Sequence, residues 1–337
     1  MPIQNYPTVF DCTEMTAAVN KLPALPVYFR RLFEVKGVKT TTVSLDIRKG
    51  RIVLIGDSER NTAPESLAGR GAKREWMHLS CAHLAMSDTL APEDLQDVRA
   101  FGSTEPISVA EVYNDKMQQL KDNMTATMEF HRLGAIKGVV LDANGTTVLH
   151  DIFNTFGVTK KKMDISFPKT AADDANPILT SILNAKRHVE AAMGGTPFSH
   201  IEGIIGSAAY DMLTSHKLVR EYFERWLSNR SNFGDNDYRK RGFPYGGLTF
   251  VERSDVVGGK TMVDAKKGHV YPVGPGIFKQ YHAPADWMET VNTMGLEYYA
   301  RMDLKEKARG IDFEVQSYPL TLCTFPEALL DLYCKAA

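Results

Sequence analysis

Residues 138–153 have the sequence GVVLDANGTTVLHDIF, which predicts two short strands joined by a tight turn. Apolar and polar residues alternate on both sides of Asn144-Gly145, and this dipeptide is the strongest short-range signal for a type I′ hairpin. The hairpin follows directly on the longest helix that the sequence predicts, over about residues 104–133. We expect Gly134 to end that helix.

The predicted helix carries one narrow stripe of large apolar side chains. Ser108 and Glu111 have the spacing of a capping box near its start. The apolar residues recur at helical spacing and are Tyr113, Met117, Leu120, Met124 and Met128. Such a stripe is more often core packing than a ligand surface. A helix of about 25 residues with one thin stripe is typical of an element that lies across a sheet.

Two segments before the helix are expected to need a partner surface on which to pack. Residues 1–36 contain prolines that exclude a long helix or a sheet interior, namely Pro2, Pro7, Pro23 and Pro26. They predict an arm laid along another surface. Residues 43–86 predict a long two-stranded excursion with a polar tip over 56–74. An isolated hairpin is marginal in water, so this excursion also needs a partner.

Beyond residue 153 the chain mixes helices and strands. Residues 177–192 predict a second amphipathic helix, 203–206 a short strand, and the stretch around Trp226 a third helix. From Gly242 onward the pattern favours strands and turns. No repeat with a period of about 20–50 residues is visible. Because helices and strands are segregated rather than regularly alternating, the predicted class is α+β.

Composition excludes several classes of protein. The chain has 337 residues, 43% of them hydrophobic, and its 40 Lys plus Arg balance 41 Asp plus Glu. These values argue against disorder and against a nucleic-acid binder of the basic-patch kind. No apolar run approaches the roughly 18 residues that cross a bilayer, and the first residues do not resemble a secretory signal. The widely spaced Cys12, Cys81, Cys323 and Cys334 favour reduced thiols in a cytoplasm.

The strongest enzymatic candidate is SDVVGGKT at 254–261, which ends in the Gly-Lys-Thr of a phosphate-binding loop. Ser254 stands where that motif has its first glycine. Gly268 and Pro272 interrupt the helix that should follow and hold the phosphates. The segment therefore predicts a flexible loop between two strands. A nucleotide-dependent enzyme that uses a degenerate loop stays as an alternative function.

Histidine pairs do not complete a metal site. His78 and His83 are five positions apart in a predicted strand, so their side chains would point to opposite faces. His200 and Glu202 share a face but lack a third ligand at helical or hairpin spacing. Hydrogen-bonded or surface histidines are the simpler interpretation.

Other polar motifs are equally incomplete. Gly206-Ser207 lacks the flanking glycines of a nucleophile elbow. Asp173-Asp174 and the lysines at 160–162 predict solvated loop residues. We therefore expect no catalytic residues, no cofactor-binding residues and no metal ligands.

Five blocks of the chain resemble, in order and spacing, the lambda-type major capsid (major head) proteins of tailed bacteriophages and prophages. The blocks are 138–153 after the long helix, AYDMLTSHKLVREYFERW (209–226), GFPYGGLTFVE (242–252), YPVGPGIFKQYHAPADWMETVN (271–292) and SYPLTLCTFPEALLDLY (317–333). The resemblance extends from about residue 22 to the C-terminus. It is weakest over 1–21 and 56–74.

The resemblance implies the Hong Kong 97-type phage coat protein fold, within the α+β class. Residues 1–37 would form the N-terminal arm, and 38–154 the E-loop (about 43–86) and the P domain with its spine helix. Residues 155–305 would form the A domain, and 306–337 the C-terminal strands that return to the P domain. The arm and the E-loop would then lie on neighbouring subunits. The expected acceptor of the E-loop is a neighbour's spine helix, with Met117, Met124 and the surface beside them.

The resemblance also implies a function. Homo-pentamers and homo-hexamers would close into an icosahedral shell around double-stranded DNA, assembled in the host cytoplasm and found in the virion. Scaffold, portal and decoration or cement proteins are the expected partners, with weak, non-specific contact to packaged DNA and no membrane. No motif here transfers the Lys–Asn cross-link of the fold's prototype. A DNA-binding protein is a further alternative, based on Arg30-Arg31, Lys73-Arg74 and Arg239-Lys240-Arg241.

Overall fold

The computed structural model describes residues 12–48 except 24 and 26, then 74–94, 109–168, 176–230, 239 and 242–336. The chain folds into two compact units. Unit 1 contains the described residues of Met1–Ser44, His78–Arg132 and Lys279–Thr321. Unit 2 contains those of Leu45–Met77, Leu133–Phe278 and Leu322–Ala337. Both units combine helices with sheets, which confirms the predicted α+β class.

The long helix is confirmed as α2, which spans Val109–Lys137. Its predicted first residues, 104–108, lie outside the described part of the chain. The predicted end at Gly134 is wrong, because the helix continues to Lys137 and Gly138 follows with a φ of 81°. A Cβ on Gly134 would lie 2.8 Å from the Cα of Val140. This glycine therefore allows the next strand to pack directly against the helix.

The predicted hairpin is confirmed as strands β5 (Val139–Leu141) and β6 (Val148–Asp151), which pair antiparallel. The two-residue type I′ turn is wrong, because residues 142–147 all lie in the connection. The side-chain oxygen of Asn144 accepts hydrogen bonds from the backbone N–H groups of Thr146 (2.8 Å) and Thr147 (2.9 Å). The asparagine side chain therefore stabilises a longer loop. Helix α3 (Ile152–Phe156) follows β6 directly.

Unit 1 is built on an antiparallel sheet with the strand order β15-β16-β4. The strands are β4 (Leu84–Leu90), β15 (Tyr299–Leu304) and β16 (Ile311–Ser317). Helix α1 (Cys12–Lys21) packs on β15, where the hydroxyl of Thr16 accepts from the backbone N–H of Ala300 over 3.3 Å. Apolar residues of α1, α2 and this sheet form one core.

A second sheet has the order β1-β14-β17, with β1 (Phe33–Gly37), β14 (Phe278–His282) and β17 (Pro319–Cys323). The turn before β1 buries Phe29 completely. Met15 and Val19 of α1 are 1% exposed in the core of unit 1. The expectation that the apolar residues of the arm pack on a neighbour is therefore wrong for Met15, Val19 and Phe29, which are buried within their own chain.

Unit 2 contains a six-stranded mixed sheet in the order β7-β18-β13-β8-β10-β9. The strands are β7 (Lys161–Phe167), β8 (His200–Ile205), β9 (Phe243–Tyr245), β10 (Leu248–Glu252), β13 (Lys267–Val273) and β18 (Leu330–Ala336). Strands β8 and β10 are parallel, as are β7 and β18, whereas β13 runs antiparallel to both of its neighbours. A separate pair, β11 (Val256–Val257) and β12 (Lys260–Thr261), is antiparallel.

Three further helices belong to unit 2. Helix α4 (Pro177–Met193) confirms the second predicted helix and begins at Asn176, whose side chain accepts from the Leu179 N–H over 3.0 Å. The predicted third helix is confirmed as α6 (Lys217–Arg230), and a separate helix, α5 (Ser207–Ser215), precedes it. They are separated at His216, which has extended backbone angles.

The two units divide the chain at other positions than the predicted arm, E-loop, P domain and A domain. Residues 279–305 group with unit 1. Residues 322–336 group with unit 2, where β18 pairs with β7 and β13. The assignment of arm, E-loop, P-domain and A-domain names to particular residues stays a prediction.

Candidate assembly elements

Helix α2 buries the apolar stripe that the sequence predicts. Met117, Leu120, Met124 and Met128 are at most 5% exposed, and they pack in the core of unit 1. Met117 and Met124 are therefore wrong as acceptors of a neighbour's 43–86 excursion, whereas the surface beside them on the helix stays a prediction. Their side chains already have partners in their own chain.

The same helix buries a second, polar stripe, which consists of Lys121, Thr125, Glu129 and Arg132. Their spacing of four, four and three residues places them on one face of the helix. All four are at most 5% exposed. Their spacing is visible in the sequence, but polar residues at helical spacing are normally solvated, so the pattern alone does not predict burial.

Lys121 lies at the C-terminal end of α1. Its Nζ donates to the carbonyl oxygens of Val19 (2.9 Å) and Leu22 (2.6 Å). The last carbonyls of a helix have no partner within the helix, and a cation there also interacts favourably with the helix dipole. Burial lowers the pKa of Lys121. The lysine therefore attaches α1 to the long helix.

Glu129 and Arg132 hold the segment that follows α1. The backbone N–H of Phe29 donates to Glu129 Oε1 over 2.6 Å. Arg132 Nη1 lies 3.3 Å from Glu129 Oε2, and its Nη2 lies 3.5 Å from Glu297 Oε1. Arg30 pairs with Glu297 as well. The buried guanidinium therefore bridges two carboxylates, and each of them contacts the Phe29–Arg30 segment.

Gln280 extends this network away from the helix. Arg132 Nε donates to Gln280 Oε1 over 2.8 Å, and neither residue is exposed. Because a guanidinium only donates, the amide oxygen of Gln280 must face the arginine. Burial lowers the pKa of Arg132, and the attraction of Glu129 and Glu297 opposes this shift. The network stabilises a buried charge rather than forming a site open to a ligand.

The ends of the predicted 43–86 excursion form strands β2 (Thr42–Arg48) and β3 (Arg74–Ser80). Among the described strands they pair only with each other. Ser44 Oγ and His78 Nδ1 lie 2.9 Å apart across this pair, on its exposed side. Nearly all of the predicted polar tip, 56–74, lies outside the described residues. The strand pair agrees with the sequence pattern, and its role as an E-loop stays a prediction.

Residues 254–261 form the hairpin β11–β12 and not a phosphate-binding loop. Gly258 and Gly259 turn the chain with φ values of 56° and 75°. Lys260 Nζ donates to the carbonyl oxygen of Ala143, so the lysine that would bind phosphate holds the β5–β6 connection instead. The expected flexible loop is wrong in that the segment itself forms two short paired strands.

The prediction that His78 and His83 share a strand is wrong. His78 belongs to β3, which ends at Ser80, and His83 lies in the connection to β4. The ring of His83 stacks on Tyr318 with centroids 4.8 Å apart. The two histidines have different partners, and neither arrangement resembles a metal site.

His200 and Glu202 form a hydrogen-bonded pair. His200 Nε2 lies 3.0 Å from one oxygen of Glu202, and the Tyr271 hydroxyl donates to the other oxygen over 3.0 Å. Gly206-Ser207 begins α5, and a Cβ on Gly206 would lie 2.1 Å from the carbonyl oxygen of Asp264. Close packing therefore explains this glycine without a nucleophile.

The lysine run at 160–162 is only partly solvated, which corrects the prediction. Lys160 Nζ lies 2.6 Å from Asp331, which also contacts Nδ1 of the buried His269 over 2.7 Å. Burial would raise the pKa of Asp331, but hydrogen bonds from His269 and Lys160 hold it below its usual value. Lys161 and Lys162 are exposed on β7. Asp173-Asp174 lies outside the described residues.

The basic pairs of the DNA-binding alternative are partly engaged. Arg30 pairs with Glu297, Arg31 lies 4.4 Å from the ring centroid of Tyr28, and Arg239 approaches a buried glutamate. Lys73, Lys240 and Arg241 lie outside the described residues. Within the described ranges, no group of three or more His, Cys, Asp and Glu side chains is arranged to hold a metal ion. In that same part of the chain, no helix combines the length and apolar character that crossing a membrane requires.

Solved structures identify the class of fold. The capsid protein of a prophage of E. coli CFT073 matches with a TM-score of 0.56 at 12% identity, over 97% of this chain and 99% of that one. The capsid of Ralstonia phage GP4 matches with a TM-score of 0.55 at 12% identity, over 92% and 91%. At these identities the likeness shows the fold alone. The chain has the Hong Kong 97-type fold of phage coat proteins, as predicted.

The sequence comparison gives the family. Residues 11–333 match the family of Phage major capsid protein E, and the chain belongs to this family. It is 25% identical over 362 aligned residues to the major capsid protein of Salmonella phage Felix O1, with 97% of both chains covered. The chain is therefore a major capsid protein of a tailed phage or prophage, which confirms the predicted function.

Proposed function

We propose that copies of this chain form pentamers and hexamers, and that these close into an icosahedral shell around double-stranded DNA. The observation that carries this proposal is the β2–β3 pair. Among the described strands it joins no larger sheet, and an isolated pair is marginally stable in water. Its free edges suit contact with another copy, and such contacts repeat at every subunit boundary of a shell.

The proposed role is structural and not catalytic. Lys260 of the 254–261 segment is engaged by a backbone carbonyl, which disfavours nucleotide binding there. The His269–Asp331 pair is buried in the six-stranded sheet, where a substrate has no access. Both observations support a coat protein without chemistry of its own.

Further partners follow from a shell-forming role. Packaged DNA would contact the shell weakly and without sequence preference, because positive and negative charges are balanced along the chain. Scaffold, portal and decoration proteins would bind the assembling or finished shell. Assembly would take place in the host cytoplasm, and the product would be part of the virion.

Assembly of the purified chain tests the proposal. The chain is expressed alone and together with cognate scaffold and portal proteins, and the products are examined by negative-stain electron microscopy and sedimentation velocity. Capsomers, shells or tubes are expected. A monodisperse monomer at high concentration that stays monomeric with scaffold and portal present would contradict it. Titration with a nucleotide serves as the control for the enzymatic alternative, and saturable binding would favour that alternative.

A further inference from the structure

The connection between β14 and β15 exposes an unusual amount of apolar surface in the isolated subunit. Met288 is 90% exposed, Val291 and Met294 are each 56% exposed, and Leu296 is 46% exposed. We call residues 287–296 the apolar loop. Single exposed apolar side chains are common on proteins, whereas four within so short a stretch form a patch of the kind that marks an interaction site.

The apolar loop is held in a fixed shape. The Thr290 hydroxyl donates to the carbonyl oxygen of Trp287 over 2.9 Å. The Gly295 N–H donates to the carbonyl oxygen of Val38 over 2.9 Å, and a Cβ on Gly295 would clash with the carbonyl oxygen of His282. These contacts fix the backbone of the loop while its large apolar side chains stay exposed. A surface that is organised in advance loses little conformational freedom when it binds.

The charge of the loop and its flanks disfavours packaged DNA as the partner. Residues 283–300 include Asp286, Glu289 and Glu297 but no Lys or Arg. The side chain of Glu289 is half-exposed. Because proteins bind phosphate backbones mainly through Lys and Arg, an acidic and apolar surface is suited to a protein partner instead.

A second copy of this chain has the properties that the partner needs. Every subunit carries the apolar loop, so the partner must be present as often as the chain itself, and other copies meet that condition in any assembly of identical subunits. The chain also exposes charge of the opposite sign, because Lys161 and Lys162 are exposed on β7 at one edge of the six-stranded sheet. Opposite charges guide two copies together and help to fix their orientation.

The methionines of the loop suit a contact that must form in more than one geometry. Neighbouring subunits in a pentamer and in a hexamer meet at different angles. Met288 and Met294 have long, unbranched and polarizable side chains, which can pack against differently placed neighbours. The same loop can therefore serve both kinds of ring.

We propose that the apolar loop is a contact between copies of this chain, in which Met288, Val291 and Met294 of one subunit pack against a neighbouring subunit. Glu289 and Arg301, whose side chains lie 3.9 Å apart and are partly exposed, form part of the polar rim of this contact. The inference rests on the proposed function, because the contact forms only when copies of the chain assemble.

Methionine oxidation tests the contact. Dilute, unassembled subunits and shells of the same chain are treated with hydrogen peroxide, and oxidation at each methionine is followed by peptide mass spectrometry. Added N-acetylmethionine amide reports the strength of the oxidant in both samples, and the buried Met128 gives the rate of a covered side chain. Met288 and Met294 should oxidise rapidly in subunits and roughly fivefold or more slowly in shells.

The outcomes separate this inference from the proposed function. If the parent chain forms no assembly under any condition, the proposed function fails and the inference fails with it. Shells in which Met288 and Met294 oxidise as fast as in subunits would overturn the inference alone. So would protection that disappears when scaffold or decoration proteins are stripped from intact shells, because those proteins would then be the partner.

A matched pair of variants gives a second readout. Val291→Asp places a carboxylate inside the proposed contact and should lower the yield of shells by roughly tenfold or more, because a charge would be buried without a partner. Val256→Asp, at a 62% exposed valine of β11, adds the same charge outside the loop and should assemble like the parent chain. Circular dichroism checks that both subunits fold. A loss of assembly in Val291→Asp no larger than that in Val256→Asp would overturn the inference.

Discussion

The amide nitrogen of Gln280 and Nε2 of His282 lie 3.0 Å apart in the interior of unit 1. Because Gln280 presents its oxygen to Arg132, its nitrogen must donate, and Nε2 of His282 must accept. A histidine can accept at Nε2 only in its neutral form, with the proton on Nδ1. Through Gln280, Arg132 therefore favours the neutral form of His282 in the folded subunit.

Acid should destabilise the subunit through this histidine. Burial lowers the pKa of His282 from 6.5 to about 4, with Glu297 opposing the shift and Arg132 and Arg30 adding to it. In the unfolded chain His282 takes up a proton below about pH 6.5, whereas in the folded chain it stays neutral down to about pH 4. The free energy of unfolding should therefore fall as the pH drops through this window, by at most about 3 kcal/mol for this residue.

The variant His282→Gln tests that assignment, because a glutamine still accepts from Gln280 but does not titrate. Urea unfolding of dilute subunits at about pH 7.5 and about pH 5 should show a smaller loss for the variant than for the parent chain. In the variant the free energy of unfolding should depend less steeply on pH. Some dependence should remain, because burial also lowers the pKa of His269. An unchanged slope in His282→Gln would rule the assignment out.

Removal of the buried guanidinium should be costly. Arg132→Met leaves the carboxylates of Glu129 and Glu297 without their central cation, and such losses cost about 3–5 kcal/mol. The matched control is Arg225→Met on α6, where the pair with Glu221 is largely exposed and worth at most about 1 kcal/mol. Urea unfolding of both variants provides the comparison. Equal and small effects would show that the network contributes little.

An alanine in place of Gly134 should destabilise, against the usual preference of helices. In an exposed helix interior, alanine is about 1 kcal/mol better than glycine. At this position the added Cβ would meet the backbone of Val140 at 2.8 Å, so β5 or the helix must shift. The control Asn123→Ala, at an exposed site of the same helix, should be neutral or slightly stabilising. Thermal melting of both variants decides, and a higher Tm for Gly134→Ala would contradict the close packing.

Shortening the β2–β3 excursion should separate folding from assembly. Replacing residues 50–72 by a short Gly-Ser turn leaves every described core residue in the chain, so we expect both units to fold. Circular dichroism and thermal melting should resemble those of the parent chain, while electron microscopy should show fewer or no closed shells. A second variant with a Gly-Ser linker of native length controls for chain length. Normal shells from both variants would mean that the excursion is not an inter-subunit contact.

The sequence predicts those helices and strands whose residues form a regular pattern over a short stretch of chain. The apolar stripe from Met117 to Met128 predicted α2 and its buried face, and the alternation around Asn144-Gly145 predicted the β5–β6 hairpin. The predicted end of α2 at Gly134 is too early. This glycine makes room for the backbone of Val140 and does not end the helix. Glycine has several uses, and the sequence alone does not separate them.

The buried polar stripe could not be predicted in the same way. The partners of Lys121 are carbonyl oxygens about a hundred positions earlier in the chain, and those of Arg132 include Gln280, 148 positions later. No local pattern encodes such distant partners. For the same reason the sequence predicts an arm that lies on a neighbour, whereas Met15 and Val19 pack in the core that α1 shares with α2 and β15.

The contact between Thr16 and Ala300 joins residues 284 positions apart and has a consequence for biosynthesis. Helix α1 has ten residues, which is too short to be stable alone, so it needs β15 and α2 to fold. At about 5–20 residues per second, β15 leaves the ribosome on the order of 15–60 s after α1. Helix α1 is therefore made long before it can fold. Until β15 has left the ribosome, a nascent chain lacks the finished form of unit 1.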